Sequence, residues 1–156
     1  MFITPRIQVV PLDQIPLGSR LQDEATQSPV VLVVDDERVI ADTLSIILSR
    51  GGFAVQTAYN ATRALELASV ISPDVLLSDV MMGPGMDGIQ LAMELTRSHP
   101  DCKVILFSGH AATQNLLEKA RGMGHSFTVL AKPLHPAELL VHLQACLVPV
   151  TAAARA

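Results

Sequence analysis

Four apolar runs of this chain each end in polar residues. Val31-Leu32-Val33-Val34 leads into Asp35-Asp36, and Val75-Leu76-Leu77-Ser78 leads into Asp79. Val104-Ile105-Leu106-Phe107 leads into Ser108, and Phe127-Thr128-Val129-Leu130-Ala131 leads into Lys132-Pro133. Their length and β-branched content predict strands buried on both faces. Another run, Phe53-Ala54-Val55-Gln56-Thr57-Ala58, alternates like a strand and ends without charge in Tyr59-Asn60. Apolar residues at helical spacing follow each run. They are Ile40, Leu44, Ile47 and Leu48, stopped by Gly51-Gly52, then Ala64, Leu65, Ala68 and Ile71 between an Asn60 cap and Pro73. Next come Ile89, Ala92, Met93 and Thr96, ending near His99-Pro100, and Leu116, Leu117 and Ala120, closed by Gly122 and Gly124. Last are Leu139, Leu140, Leu143 and Leu147 behind Pro136, a residue suited to a first helical turn.

Five strand-helix units joined by right-handed crossovers predict an α/β domain of the flavodoxin-like (βα)5 type. Its sheet is five-stranded and parallel, in the order 2-1-3-4-5, with helices on both faces. The uncharged end of the second strand suits an edge, and strands 1 and 3 then flank the switch point. The domain is expected to span residues 29–148. Residues 1–28 carry Pro5, Pro11, Pro16 and Gly18 without a sustained period. They are read as a flexible N-terminal extension, with docking of Ile7-Gln8-Val9-Val10 onto the domain as the alternative. Residues 149–156 form a short tail.

Open parallel sheets carry their functional groups beyond the carboxyl ends of the strands. That rule brings Asp35, Asp36, Asp79, Ser108 and Lys132 into one small volume. Three carboxylates so close repel by several kcal/mol per pair at an effective dielectric of about 20, and a cation relieves that repulsion. Hard oxygen ligands, too few for a closed cage, suit Mg²⁺ that completes its shell from water and a phosphate. Lys132 adds a point charge for phosphoryl oxygens, and Ser108 a hydroxyl that donates to one of them. Taken singly, each has a plainer reading: Asp35-Asp36-Glu37 as a helix start, Ser108 as a turn residue, Lys132 as a solvated strand end.

The rest of the composition narrows the function classes. The chain has 156 residues, a formal charge of −4, 3% aromatic residues and no tryptophan, so direct nucleic-acid binding is not expected. No stretch approaches the roughly 20 apolar residues of a membrane span, and no secretory leader is recognisable, which points to a cytoplasmic protein. Cys102 and Cys146 read as reduced, buried thiols. His99, His125, His135 and His142 show no ligand spacing with acids or thiols.

These motifs resemble the receiver domain of bacterial two-component response regulators. The resemblance covers residues 29–148 and rests on Val33-Val34-Asp35-Asp36-Glu37, Leu77-Ser78-Asp79-Val80, Pro84-Gly85-Met86-Asp87-Gly88, Phe107-Ser108-Gly109 and Ala131-Lys132-Pro133. It implies that Asp79 accepts a phosphoryl group from a histidine kinase. Asp36, Asp79 and the main-chain carbonyl of Met81 would hold Mg²⁺, with Asp35 reaching it mostly through water. Lys132 would pair with the phosphoryl oxygens, next to a cis peptide to Pro133, and Ser108 would be the switch hydroxyl. His110 would stand at the mouth of the site or on the solvated loop.

Two positions depart from the family pattern. The loop proline usually lies four residues after the phosphoacceptor, whereas Pro84 lies five after Asp79. The switch aromatic usually stands three residues before the lysine, where this chain has Val129, with Phe127 as a candidate substitute. The leading expectation is a single-domain response regulator, not itself an enzyme. It would be loaded by a histidine kinase or histidine phosphotransfer protein, and would signal through a protein partner at the face of helix 4, strand 5 and helix 5. A phosphorelay intermediate or phosphate sink is the first alternative, and a phosphorylation-independent binding module the second. A phosphohydrolase using Asp79 ranks last, since position 81 is Met and offers no second acid.

Overall fold

The computed structural model describes residues 28–109 and 113–148. The expected extension and tail, and His110, lie outside the described residues apart from Ser28. Five strands alternate with five helices: β1 (Val30–Val34), α1 (Arg38–Arg50), β2 (Ala54–Ala58), α2 (Ala61–Ile71), β3 (Val75–Asp79), α3 (Gly88–Ser98), β4 (Lys103–Ser108), α4 (Thr113–Gly122), β5 (Thr128–Ala131) and α5 (Pro136–Leu147). The sheet is parallel throughout, in the order β2-β1-β3-β4-β5, as expected.

Alternation along the strands divides the core into two layers. Leu32, Val34, Leu76 and Leu106 point towards α2, α3 and α4, where they meet Ala64, Ala68, Leu91, Ala92 and Leu95. Val31, Val33, Leu77, Ile105 and Phe107 point the other way, onto Ala41, Leu44 and Leu48 of α1 and Leu139 and Leu143 of α5. Residues 31–34 and 75–77 are fully buried, which is why these two central strands read as unbroken apolar runs.

The fifth run behaves differently. β5 pairs with β4 on one side, and of its four residues Leu130 alone is buried. Sequence treats it like the central strands, but its outer position leaves Thr128 and Ala131 exposed, and Phe127 lies before the strand. The inner face of α3 is also wider than its predicted stripe. Leu91 and Leu95 are fully buried beside Ile89 and Ala92, because α3 packs against α2 and α4 as well as the sheet.

The helix starts follow local chemistry. The Asn60 side chain accepts from the Arg63 N–H at 2.8 Å and caps α2. Asp87 and Gln90 form a reciprocal capping box at α3, each accepting from the other's main-chain N–H. That box sets Gly88 directly against the end of β3. The Gly88 N–H donates to the Val80 carbonyl at 2.8 Å, and a Cβ at Gly88 would lie 2.0 Å from the Asp79 carbonyl oxygen. No side chain fits there without displacing the β3 terminus.

Gly88→Ala is therefore expected to destabilise the domain by about 2 kcal/mol or more. Urea unfolding checks this, and a change below about 0.5 kcal/mol would show that the β3–α3 junction yields freely.

Candidate functional site

The register of the sheet assembles the site. Val34 stands opposite Ser78, Asp79 opposite Phe107, and Ser108 opposite Ala131, so the residues that follow each strand emerge at one edge. Main-chain bonds extend this order past the strand ends: Asp35 N–H to Ala58 O at 3.2 Å, Val80 N–H to Phe107 O at 3.1 Å, and Lys132 N–H to Ser108 O at 3.1 Å.

Asp35, Asp36 and Asp79 each offer an oxygen to one point, and these oxygens lie within 4.8 Å of one another. Asp35 and Asp79 are buried, whereas Asp36 is exposed. Lys132 Nζ sits 3.3 Å from Asp79 Oδ2 and 3.8 Å from Asp35 Oδ2, and 5.2 Å from the centre of the Phe107 ring. The Lys132–Pro133 peptide is cis, as the resemblance implies. Asp35 Oδ1 accepts from the Glu37 N–H at 2.9 Å, so this acid both turns the chain into α1 and faces the site. Among the described residues, two buried carboxylate oxygens, Asp35 Oδ2 and Asp79 Oδ1, find no hydrogen-bond donor.

One lysine does not balance this cluster. At an effective dielectric of about 20, each ionised carboxylate pair repels by about 3 kcal/mol or more, and burial adds its own cost. The carboxyl groups register that cost. Burial pushes Asp35 from the ordinary 3.8 up to about 6, opposed by the Glu37 N–H and reinforced by the charge of Asp79. Burial also raises Asp79, opposed chiefly by Lys132. All the donors are hard oxygens, and two of them are buried and unmet. Such a set fits a small divalent cation that keeps part of its water shell.

The remaining predicted residues fall around this centre. Ser108 is buried at the end of β4, and its hydroxyl is hydrogen-bonded to the Thr113 hydroxyl at the start of α4. The sequence pattern does not single out Thr113, which lies five residues after Ser108 and one turn ahead of the Leu116–Leu117 pair. Met81 is exposed. Gly83 was also missed as a contact: its N–H donates to Asp36 Oδ2 at 3.0 Å. Val129 is half-buried on β5. Phe127 packs partly against the α2–α4 layer and stacks on His125, with ring centres 5.7 Å apart. Cys102 is buried and Cys146 half-buried, both free thiols, and burial pushes the Cys102 thiol up to about 11. Among the described residues no helix is long and apolar enough to cross a membrane.

Residues 31–144 match the family of response regulator receiver domains. Response regulator MprA of Mycobacterium ulcerans (strain Agy99) is 32% identical over 118 residues, covering 75% of this chain and 49% of that protein. The chain thus spans about half the length of the curated relatives it matches. Among solved structures, the signal receiver domain of an HD domain-containing protein from Pseudomonas fluorescens Pf-5 superposes with a TM-score of 0.70 at 31% identity, covering 78% of this chain and 95% of that one. The Vibrio cholerae chemotaxis protein CheY4 superposes with a TM-score of 0.69 at 28% identity, covering 78% of this chain and all of that one.

The raised Asp35 carboxyl has a consequence for stability. Between pH 3.8 and about 6 the folded, metal-free chain holds a proton that the unfolded chain releases. This group's stability contribution is therefore present at low pH and lost as pH rises through about 6. Asp35→Asn is expected to remove that decline and to exceed the native chain at pH 7 by about 1–3 kcal/mol, with chelator present. Urea unfolding across this range checks it; parallel curves for the two proteins would contradict it.

Proposed function

We propose that this chain, which belongs to the response regulator receiver family, takes a phosphoryl group onto Asp79 from a histidine kinase or histidine phosphotransfer protein and passes the signal to a protein partner. The observation that carries this reading is the carboxylate trio with its two unmet buried oxygens beside Lys132. Asp36, Asp79 and Asp35 would hold Mg²⁺, with the Met81 carbonyl as a further ligand. Bound there, Mg²⁺ would neutralise the carboxylates and the charge on the transferring group.

In the transfer, a carboxylate oxygen of Asp79 attacks phosphorus, the phosphorus–nitrogen bond of the donor phosphohistidine breaks, and the imidazole leaves with that electron pair. Lys132, already 3.3 Å from Asp79 Oδ2, offsets charge on the equatorial oxygens as they approach. Its position is preset by the β5 terminus, so little reorganisation accompanies the reaction. Ser108 reaches a phosphoryl oxygen by turning from Thr113, which links loading at β3 to the first turn of α4. The partner face lies beyond that turn, on α4, β5 and α5, where β5 leaves Thr128 and Ala131 open.

A second reading has its own support. Val129 stands where an aromatic switch residue would couple Ser108 to the outer face. That arrangement favours a relay intermediate or phosphate sink, which needs the acceptor chemistry but no strong output switch. Passage of label from the loaded chain to a histidine phosphotransfer protein distinguishes it from the first.

Intact-mass analysis after incubation with acetyl phosphate and Mg²⁺ tests the shared chemistry. One phosphoryl adduct is expected, absent in Asp79→Asn and blocked by chelator. Lys132→Ala should slow its formation by about a hundredfold. Failure of both acetyl phosphate and beryllofluoride to bind the native chain would overturn the phosphoacceptor reading and favour a phosphorylation-independent binding module.

A further inference from the structure

Each acid of the trio has its own restraint. Asp35 is held by the Glu37 N–H, and Asp79 by Lys132. Asp36 is the exposed member, and its restraint comes from across the fold, through the Gly83 N–H at 3.0 Å from Oδ2, 47 residues along the chain. Gly83 stands within the loop that is one residue longer than the family pattern. In that pattern position 83, four residues after Asp79, would be proline, which has no N–H to give. The extra residue shifts the proline to position 84 and leaves a donor at 83.

From this geometry we infer that Gly83 is a positioning residue for metal binding, its N–H fixing the Asp36 carboxylate towards the site Asp35 and Asp79 build. An exposed aspartate samples several rotamers and pays to be ordered when a cation binds. The bond to Oδ2 removes part of that cost beforehand. Glycine itself is not what matters. A Cβ at position 83 would lie 3.5 Å from Asp36 Oδ2, an ordinary contact, so alanine keeps both the donor and the space.

The inference rests on the reading of the trio as a Mg²⁺ site, and calorimetric titration of the full chain with MgCl₂ separates the two. Gly83→Pro and deletion of Gly83 each remove the donor and are expected to weaken Mg²⁺ binding by about threefold to tenfold, while Gly83→Ala binds like the native chain. Circular dichroism melts identify any variant that does not fold; the other donor-free variant then carries the comparison. Native affinity in a folded donor-free variant would overturn the inference, as would an equal loss in Gly83→Ala. A native chain that binds no Mg²⁺ would instead overturn the underlying reading of the site.

Discussion

The constraint on which this molecule turns is the crowding of three carboxylates at the end of a parallel sheet, with one ammonium group among them. Two of the acids are buried, and even with Lys132 beside them two of their oxygens find no donor among the described residues. A fold that aimed only at stability would not keep them: neutral residues of similar shape would relieve both repulsion and desolvation. The cluster persists because the sheet supplies the stability. β1 and β3 are covered on both faces by fully apolar layers, and their ends are tied to neighbouring strands beyond the last ladder bond. The cost of the site is carried by the most deeply buried part of the sheet.

The register of the sheet also orders the chemistry. Asp79 and Lys132 come from different strands, and their separation is fixed by register and by the Lys132 N–H bond to Ser108, not by the side chains themselves. The mobile choices are few: the rotamer of Asp36, which Gly83 restrains, and the hydroxyl of Ser108, which Thr113 engages. Asp36 lies between β1 and α1 with its partner on the loop before α3, and Ser108 ends β4 ahead of α4. A change in charge at Asp79 therefore meets strand register on one side and these two side-chain contacts on the other.

Much of this was legible in the sequence, for physical reasons that differ by residue. The central strands announce themselves because burial on both faces demands continuous apolar runs, and the residue after each run is then placed by topology. Asp35, Asp36, Asp79, Ser108 and Lys132 come together for that reason. The caps at Asn60 and Asp87 are local and equally readable. Contacts set by chain return were not. Gly88 looks like an ordinary helix start until α3 is seen to fold back on the Asp79 carbonyl, and no spacing rule connects Gly83 to Asp36. The partial exposure of β5 likewise follows from its outer position and from nothing in its own composition.

The most direct test of the central claim, that this acidic cluster is a divalent-cation site, is thermal unfolding of the native chain and of Asp79→Asn in millimolar MgCl₂ and in chelator. A ligand that binds only the folded state stabilises it by RT ln(1 + L/Kd), where L is the free ligand concentration, and raises Tm accordingly. Mg²⁺ is expected to raise the native Tm by several degrees and to leave that of Asp79→Asn nearly unchanged. A native Tm that is the same in Mg²⁺ and in chelator would contradict it.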